Sequence, residues 1–275
     1  MNPYTQLPRV PLLFGRHALI IERCRGKRVL HIGCVDAGLV ESRFERGELM
    51  HQRLAAVAGE LWGVDIDSKG IAFLSNKGFD HLYTGDICDD VTVAAFQGEH
   101  FDVCVASEVV EHLQNPGHFL SAAHRLMVPG QTELIITVPN AFRIDTLLWM
   151  LRGVEYVHPD HNYWFSYRTA TNLIRKSGLA VQEVYAYTSQ PSAILPRRLQ
   201  RLFTRNPQAV ALSEILASPD ETVTRPRASV GTRFIAYFRT LPKRILVRWL
   251  YRITPFWGDG LIIVTRAVEN GQPAI

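Results

Sequence analysis

The segment KRVLHIGCVDAG at residues 27–38 constrains this chain most, because a short apolar run stops abruptly at a glycine. Val29, Leu30 and Ile32 read as a buried strand, and Gly33 begins a turn where main chain can approach a ligand closely. A strand that ends in this way predicts a nucleotide-binding edge. The remaining chain must then supply the sheet around that strand and the groups that meet the ligand.

Strand-like and helix-like patterns alternate along the sequence. Residues 12–25 and 41–58 carry apolar residues at helical spacing, the second with Phe44, Leu49, Leu54 and Val57. Short apolar runs at 61–65, 81–84, 101–106, 133–138, 179–187 and 260–267 predict six further strands. Ser68 and Ser166 are placed to cap helices that stop near Gly78 and Gly178, and residues 116–127 form another helix opened by Pro116. Strands separated by helices imply right-handed βαβ units and a mainly parallel sheet, whose ligands gather at the strand carboxyl ends. With 275 residues, 47% of them hydrophobic, the chain is expected to form one domain over 1–275.

Four groups fall at those ends. Gly33 follows the first strand, Asp65 the second, Asp86 the third, and Ser107 and Glu108 the fourth. An ionised Asp65 can accept from both hydroxyls of a ribose, and Asp86 can accept from an exocyclic amine. The competing reading of each aspartate is a turn initiator. A dinucleotide oxidoreductase fits poorly, because Gly33 and Gly38 do not make GxGxxG and Asp65 lies 32 residues after Gly33 instead of about 20.

Taken together, VLHIGC (29–34), GVDID (63–67), YTGDI (83–87), FDVCVASEVVEHL (101–113), LMVPG (126–130) and TVPN (137–140) resemble the class I S-adenosylmethionine-dependent methyltransferases, near their quinone-biosynthesis-like and small-molecule or glycan branch. The resemblance implies an α/β, Rossmann-like sheet of seven strands with the last antiparallel, and S-adenosylmethionine across its carboxyl edge. By position, Gly33 and Cys34 would approach the methionine portion, Asp65 with Ile66 the ribose, Asp86 and Ile87 the adenine, and Ser107 with Glu108 the methionine amino group. Two positions depart from the family pattern. His31 replaces its first acidic residue, and Val35 replaces the second glycine of its turn. Valine resists positive φ, so this turn must run differently, and Asp36 is the nearby candidate for the missing carboxylate.

Methyl transfer to a hydroxyl calls for alignment of two reactants and for a general base. The candidates are His112, in the EHL element, and His158 or His161, in the loop HPDHNYWFS. His112 also suits a residue that orders the cofactor loop. Tyr163, Trp164 and Phe165 would wall an acceptor pocket or pack the loop on the sheet. The crowded spacing of His158, Asp160 and His161 around Pro159 matches no standard ligand pattern, so no metal is expected.

Between 190 and 257 stand twelve basic residues against three acidic ones, although the whole chain carries only +4. This segment is expected to be a basic helical insert between the sixth and seventh strands, with Arg244, Arg248 and Arg252 on one face of a helix over 242–253. It would contact an anionic membrane surface, or form a lid or a homodimer surface with its arginines in water. Residues 218–229 look like a loop within it. No nucleic-acid recognition motif accompanies the charge. Cys24, Cys34, Cys88 and Cys104 form no CxxC pair, the first residues lack the order of a signal peptide, and no apolar run approaches about 18 residues. The expected function is a methyltransferase, cytoplasmic or associated with a membrane from the cytoplasmic side, acting on a small-molecule, glycan-type or lipid-linked hydroxyl acceptor. The competing classes are a non-catalytic S-adenosylmethionine-binding or scaffolding protein and a membrane-surface module.

Overall fold

The computed structural model describes residues 4–189, 249–251 and 253–268. Eight strands form one sheet: β1 (Leu12–Phe14), β2 (Arg28–Ile32), β3 (Glu60–Asp65), β4 (Leu82–Thr84), β5 (Val103–Ser107), β6 (Glu133–Pro139), β7 (Leu179–Thr188) and β8 (Gly260–Ala267). Their order is β1-β7-β8-β6-β5-β2-β3-β4. Every neighbouring pair is parallel except those of β8, which runs antiparallel to β6 and β7. The helices are α1 (His17–Cys24), α2 (Val40–Glu45), α3 (Met50–Ala55), α4 (Ser68–Asn76), α5 (Asp90–Ala95), α6 (Pro116–Arg125), α7 (Ile144–Met150) and α8 (Tyr167–Lys176).

The expected Rossmann-like sheet is present, with eight strands instead of seven. The extra strand comes from the predicted helix at 12–25. Leu12–Phe14 adds to the open edge of β7, Gly15 turns the chain at φ +70°, and α1 starts only at His17. Three apolar residues show no period of their own, so a partner edge decides their state. The predicted helix at 41–58 likewise divides into α2 and α3, with Gly47 at φ +68° between them. Asp67, not Ser68, caps α4; its Oδ1 accepts from the N–H groups of Lys69 at 3.0 Å and Gly70 at 3.2 Å. Ser166 does cap α8, with Thr169 completing a capping box. The insert at 190–257 lies almost wholly outside the described residues, as does the loop at 218–229. No helix among the described residues is long and apolar enough to cross a membrane.

Side chains of the central strands alternate between two cores, as a period of two demands. Leu30, Ile32, Cys104, Ala106, Leu134 and Ile136 face one core with α6 and α8, completed by Phe119, Leu120 and Ile174. Val29, Val103, Val105 and Ile135 face the other, against Ile20 and Cys24 of α1 and Met50 and Leu54 of α3. Each of the larger aliphatic and aromatic side chains contributes about 1.5–3 kcal/mol by leaving water.

The same alternation sends His31 to the α3 side, where it meets His51. The rings stack with Nδ1 atoms 3.3 Å apart, so one nitrogen donates and the other accepts. Gly63 on β3 leaves the space, since a Cβ there would fall 2.8 Å from His51 Cε1. Burial holds both imidazoles down at about 3. His31 therefore serves the core, and its position offers no charge to a ligand.

Candidate functional site

From β2 the chain proceeds outward to β3 and β4 on one side of the sheet, then returns to place β5 and β6 on the other. Such a reversal opens a crevice beyond the strand carboxyl ends. Register brings its walls together, since Ile32 lies opposite both Val64 and Ala106. The residues that follow, Gly33, Asp65 and Ser107, consequently share this edge.

Gly33 has φ +72°, and a Cβ there would fall 2.5 Å from Val109 Cγ2. Both backbone and space thus require glycine. Gly33→Ala is expected to cost about 2 kcal/mol in urea unfolding. Gly38→Ala, at φ +74° but with no atom within 4 Å, should cost visibly less. Equal losses would show that the contact with Val109 is immaterial.

Val35 changes how the turn runs, as expected. Its N–H donates to Asp65 Oδ2 at 2.8 Å, and its side chain tucks inward over Gly70, where a Cβ would lie only 2.1 Å from Val35 Cγ1. Asp65 Oδ1 accepts from the N–H of Asp67 at 2.9 Å. Burial raises the Asp65 carboxyl above its usual range, opposed by those main-chain donors. Asp65 thus anchors the turn, while each oxygen retains a second acceptor direction.

Beside Gly33 lies a polar pocket lined by Arg16, His17, Cys34, Asp36, Arg43 and Ser107. Asp36 pairs with Arg43 at 2.9 Å, and Arg16 Nε donates to Ser107 Oγ at 3.2 Å. Cys34 is buried, which pushes its thiol pKa far up and keeps it unreactive. The two arginines were not apparent in the sequence. Arg16 stands just after the unforeseen strand β1, and no local spacing marks either residue.

Glu108 sits at φ +56°, rare for a residue with a side chain. Its Oε1 accepts from Thr137 Oγ1 at 2.9 Å and from Tyr187 OH at 3.0 Å. Glu111 is fully buried, and neither carboxylate oxygen has a hydrogen-bond partner among the described residues. Burial, then the charge of Glu108, raises its carboxyl well above the usual range. Asp86 is exposed and accepts from the N–H of Cys88 at 2.8 Å, a turn contact. Ile66 is 73% exposed, whereas Ile87 belongs to the core.

His112, His158 and His161 come together at the same end of the sheet. One nitrogen from each lies within 4.8 Å of the others. Burial, followed by the neighbouring imidazoles, lowers the pKa of His161. Tyr163 stacks on buried Phe165, packing their loop against the sheet.

Comparison with known proteins accords with this architecture. Residues 13–184 match the family described as a methyltransferase domain. The ubiquinone biosynthesis O-methyltransferase of Cereibacter sphaeroides is 27% identical over 172 residues, covering 56% of this chain and 61% of that protein. The protein of the same name from Roseobacter denitrificans is 25% identical over 185 residues, covering 60% and 65%. The chain thus matches less than two thirds of the length of these curated relatives. Among solved structures, the complex between the Haloferax volcanii Trm112 methyltransferase activator and the putative methyltransferase aligns with TM-score 0.50 at 15% identity, over 93% of this chain and 90% of that one. The cyclase SpnF aligns with TM-score 0.51 at 13% identity, over 92% and 79%. These two likenesses concern the fold, which by itself does not fix chemistry. With the family match covering more than half of its length, the chain belongs to the methyltransferase-domain family of class I Rossmann-like fold.

Proposed function

We propose that this protein is an S-adenosylmethionine-dependent methyltransferase that methylates a hydroxyl of a small-molecule acceptor. The observation that carries the reading is the crevice at the strand reversal, where Gly33 requires a side-chain-free turn and a buried Asp65 closes the next strand. The names of the O-methyltransferase relatives support oxygen as the methylated atom.

When bound, S-adenosylmethionine supplies an electrophilic methyl carbon beside a sulfonium. Asp65 would accept from the ribose hydroxyls, with Ile66 beside it, while Asp86 and the main chain of Ile87 would border the adenine. Gly33, Cys34 and Ser107 with Glu108 border the methionine portion. Arg16 and Arg43 line the adjoining pocket, where a guanidinium suits a carboxylate, and Asp36 holds Arg43 there. His112, His158 and His161 form the basic group on the acceptor side, with His161 neutral at pH 7 and able to hold an acceptor proton. Alignment within the crevice supplies most of the acceleration.

A glycan-type or lipid-linked acceptor fits the same reading, with residues 190–257 contacting an anionic membrane surface or a second copy of the chain. Four free cysteines, three of them buried, suit a cytoplasmic setting. Incubating the full chain with methyl-labelled S-adenosylmethionine and cell extract should yield a labelled small molecule. Calorimetry that detects no S-adenosylmethionine binding at millimolar ligand would overturn the enzyme assignment. Binding without any labelled product would instead leave a non-catalytic cofactor-binding protein.

A further inference from the structure

The sequence spacing argued against a metal because His158, Asp160 and His161, crowded around Pro159, match no standard ligand pattern. Folding adds His112 from the end of the β5 edge. Ring centroids of His112 and His161 lie 4.6 Å apart, and those of His158 and His161 5.0 Å apart. Three imidazoles from two separate segments thus converge, with the Asp160 carboxylate 3.8 Å from His158 Nδ1.

The loop is also held for this purpose. Asn162 Nδ2 donates to the His112 carbonyl at 2.7 Å, and the Asn162 N–H donates to the Glu111 carbonyl at 2.8 Å. Tyr163 OH donates to the Gln114 carbonyl at 2.9 Å. His112 Nδ1 lies 3.2 Å from the Asp160 carbonyl, which can only accept. The proton therefore resides on Nδ1, leaving the Nε2 lone pair for a ligand. Metal-binding histidines are commonly oriented by such a contact to a main-chain carbonyl.

We propose that His112, His158 and His161 bind one divalent transition-metal ion of the zinc type, with an open coordination position. Three imidazoles suit zinc, cobalt or nickel, and reject magnesium and calcium, which prefer oxygen. A tetrahedral ion with bonds of about 2.0 Å needs nitrogens about 3.3 Å apart, so the rings close by on the order of 1 Å. His158 is exposed, and its Nδ1 accepts from the Asp160 N–H at 3.3 Å, so it closes on the ion through Nε2 or by giving up that contact. The carboxylates of Glu108 and Asp160 act on His161 electrostatically and offset the ion's charge. The open position takes water or an acceptor hydroxyl and lowers its pKa, its proton passing to solvent, so that in the metal-bound protein the ion replaces the histidines as the group that activates the hydroxyl. This last role rests on the methyltransferase reading; metal binding itself does not.

The test uses tag-free full-length protein stripped with a chelator and titrated with cobalt(II), read by visible ligand-field absorption, and with zinc by calorimetry. One ion per chain is expected. His158→Ala and His161→Ala should each weaken binding by at least about tenfold, which corresponds to 1.4 kcal/mol. His100→Ala, an exposed histidine outside the cluster, should leave it unchanged. Absence of cobalt uptake, or wild-type affinity in the His158→Ala/His161→Ala double variant, overturns the site. Calorimetry of S-adenosylmethionine with the metal-free protein judges the methyltransferase reading separately. If the cofactor binds and the metal does not, the site falls and that reading stands. The reverse result removes the reading and retains the site.

Discussion

Asp65→Ala is expected to lower S-adenosylmethionine affinity by at least about 100-fold, or some 2.7 kcal/mol. On the proposed assignment two ribose hydroxyls would donate to one carboxylate, which accounts for that loss, since a hydrogen bond to a charged group is worth about 1.5–3 kcal/mol. The substitution also removes the acceptors for the N–H groups of Val35 and Asp67. Leaving those donors unpaired costs about 1–3 kcal/mol each if they stay buried, so the folded state weakens as well. Asp65→Asn removes the charge but keeps part of the anchor. Its carbonyl oxygen can accept from only one of the Val35 and Asp67 N–H groups, and its NH2 faces the other, which is left unpaired. Calorimetry paired with urea unfolding should show Asn between Ala and wild type in stability and far below wild type in affinity. If Asp65→Ala were destabilised yet bound the cofactor with full affinity, Asp65 would be a turn residue only.

Acid should destabilise the protein through its two buried histidines, an effect that grows to several kcal/mol. Unfolded imidazoles have a pKa near 6.5, whereas His31 and His51 are held at about 3 in the folded state. As pH falls below 6.5 the unfolded chain takes up protons that the folded chain refuses. Stability is therefore lost from pH 6.5 downward, at about 1.4 kcal/mol per pH unit for each imidazole, until the folded rings protonate near pH 3. Glu111 works in the opposite sense. Its raised pKa makes the folded state hold a proton that the unfolded chain releases, so its contribution falls as pH rises. Two imidazoles against one carboxyl leave a net loss toward acid. His51→Gln should flatten the dependence of the urea midpoint on pH between 6.5 and 4.5 by one group's share, about 1.4 kcal/mol per unit. Identical slopes in variant and wild type would remove the histidine pair as the cause.

Legibility in the sequence followed the range of the forces involved. Apolar runs interrupted by glycine and by capping residues revealed seven of the strands, because burial of alternating side chains is written locally. The runs around β2, β3 and β5 also located Gly33, Asp65 and Ser107 at strand ends. Leu12–Phe14 was misassigned because three residues carry no periodicity, and only the free edge of β7 makes them a strand. Asp67 displaced Ser68 as a cap because a carboxylate one residue earlier accepts two N–H groups, which a hydroxyl does less strongly.

The candidate site shows the same division. Val35 looked like a defect in the turn until Gly70, on a different element, supplied the space its side chain needs. His31 looked like a lost ligand for the cofactor until His51 explained it as half of a buried pair. Arg16 and Arg43 entered the pocket from separate segments, and neither bears any relation in spacing to Gly33. By itself the sequence determined the strand-and-helix order and which residues stand at the strand ends, since neighbours along the chain set both. Only the tertiary structure decided that His112 joins His158 and His161, that Asp65 holds Val35, and that the Glu111 carboxylate is buried without a hydrogen-bond partner among the described residues. Those pairings depend on which segments the sheet order brings together in space, and contacts between distant segments leave no periodic trace along the chain.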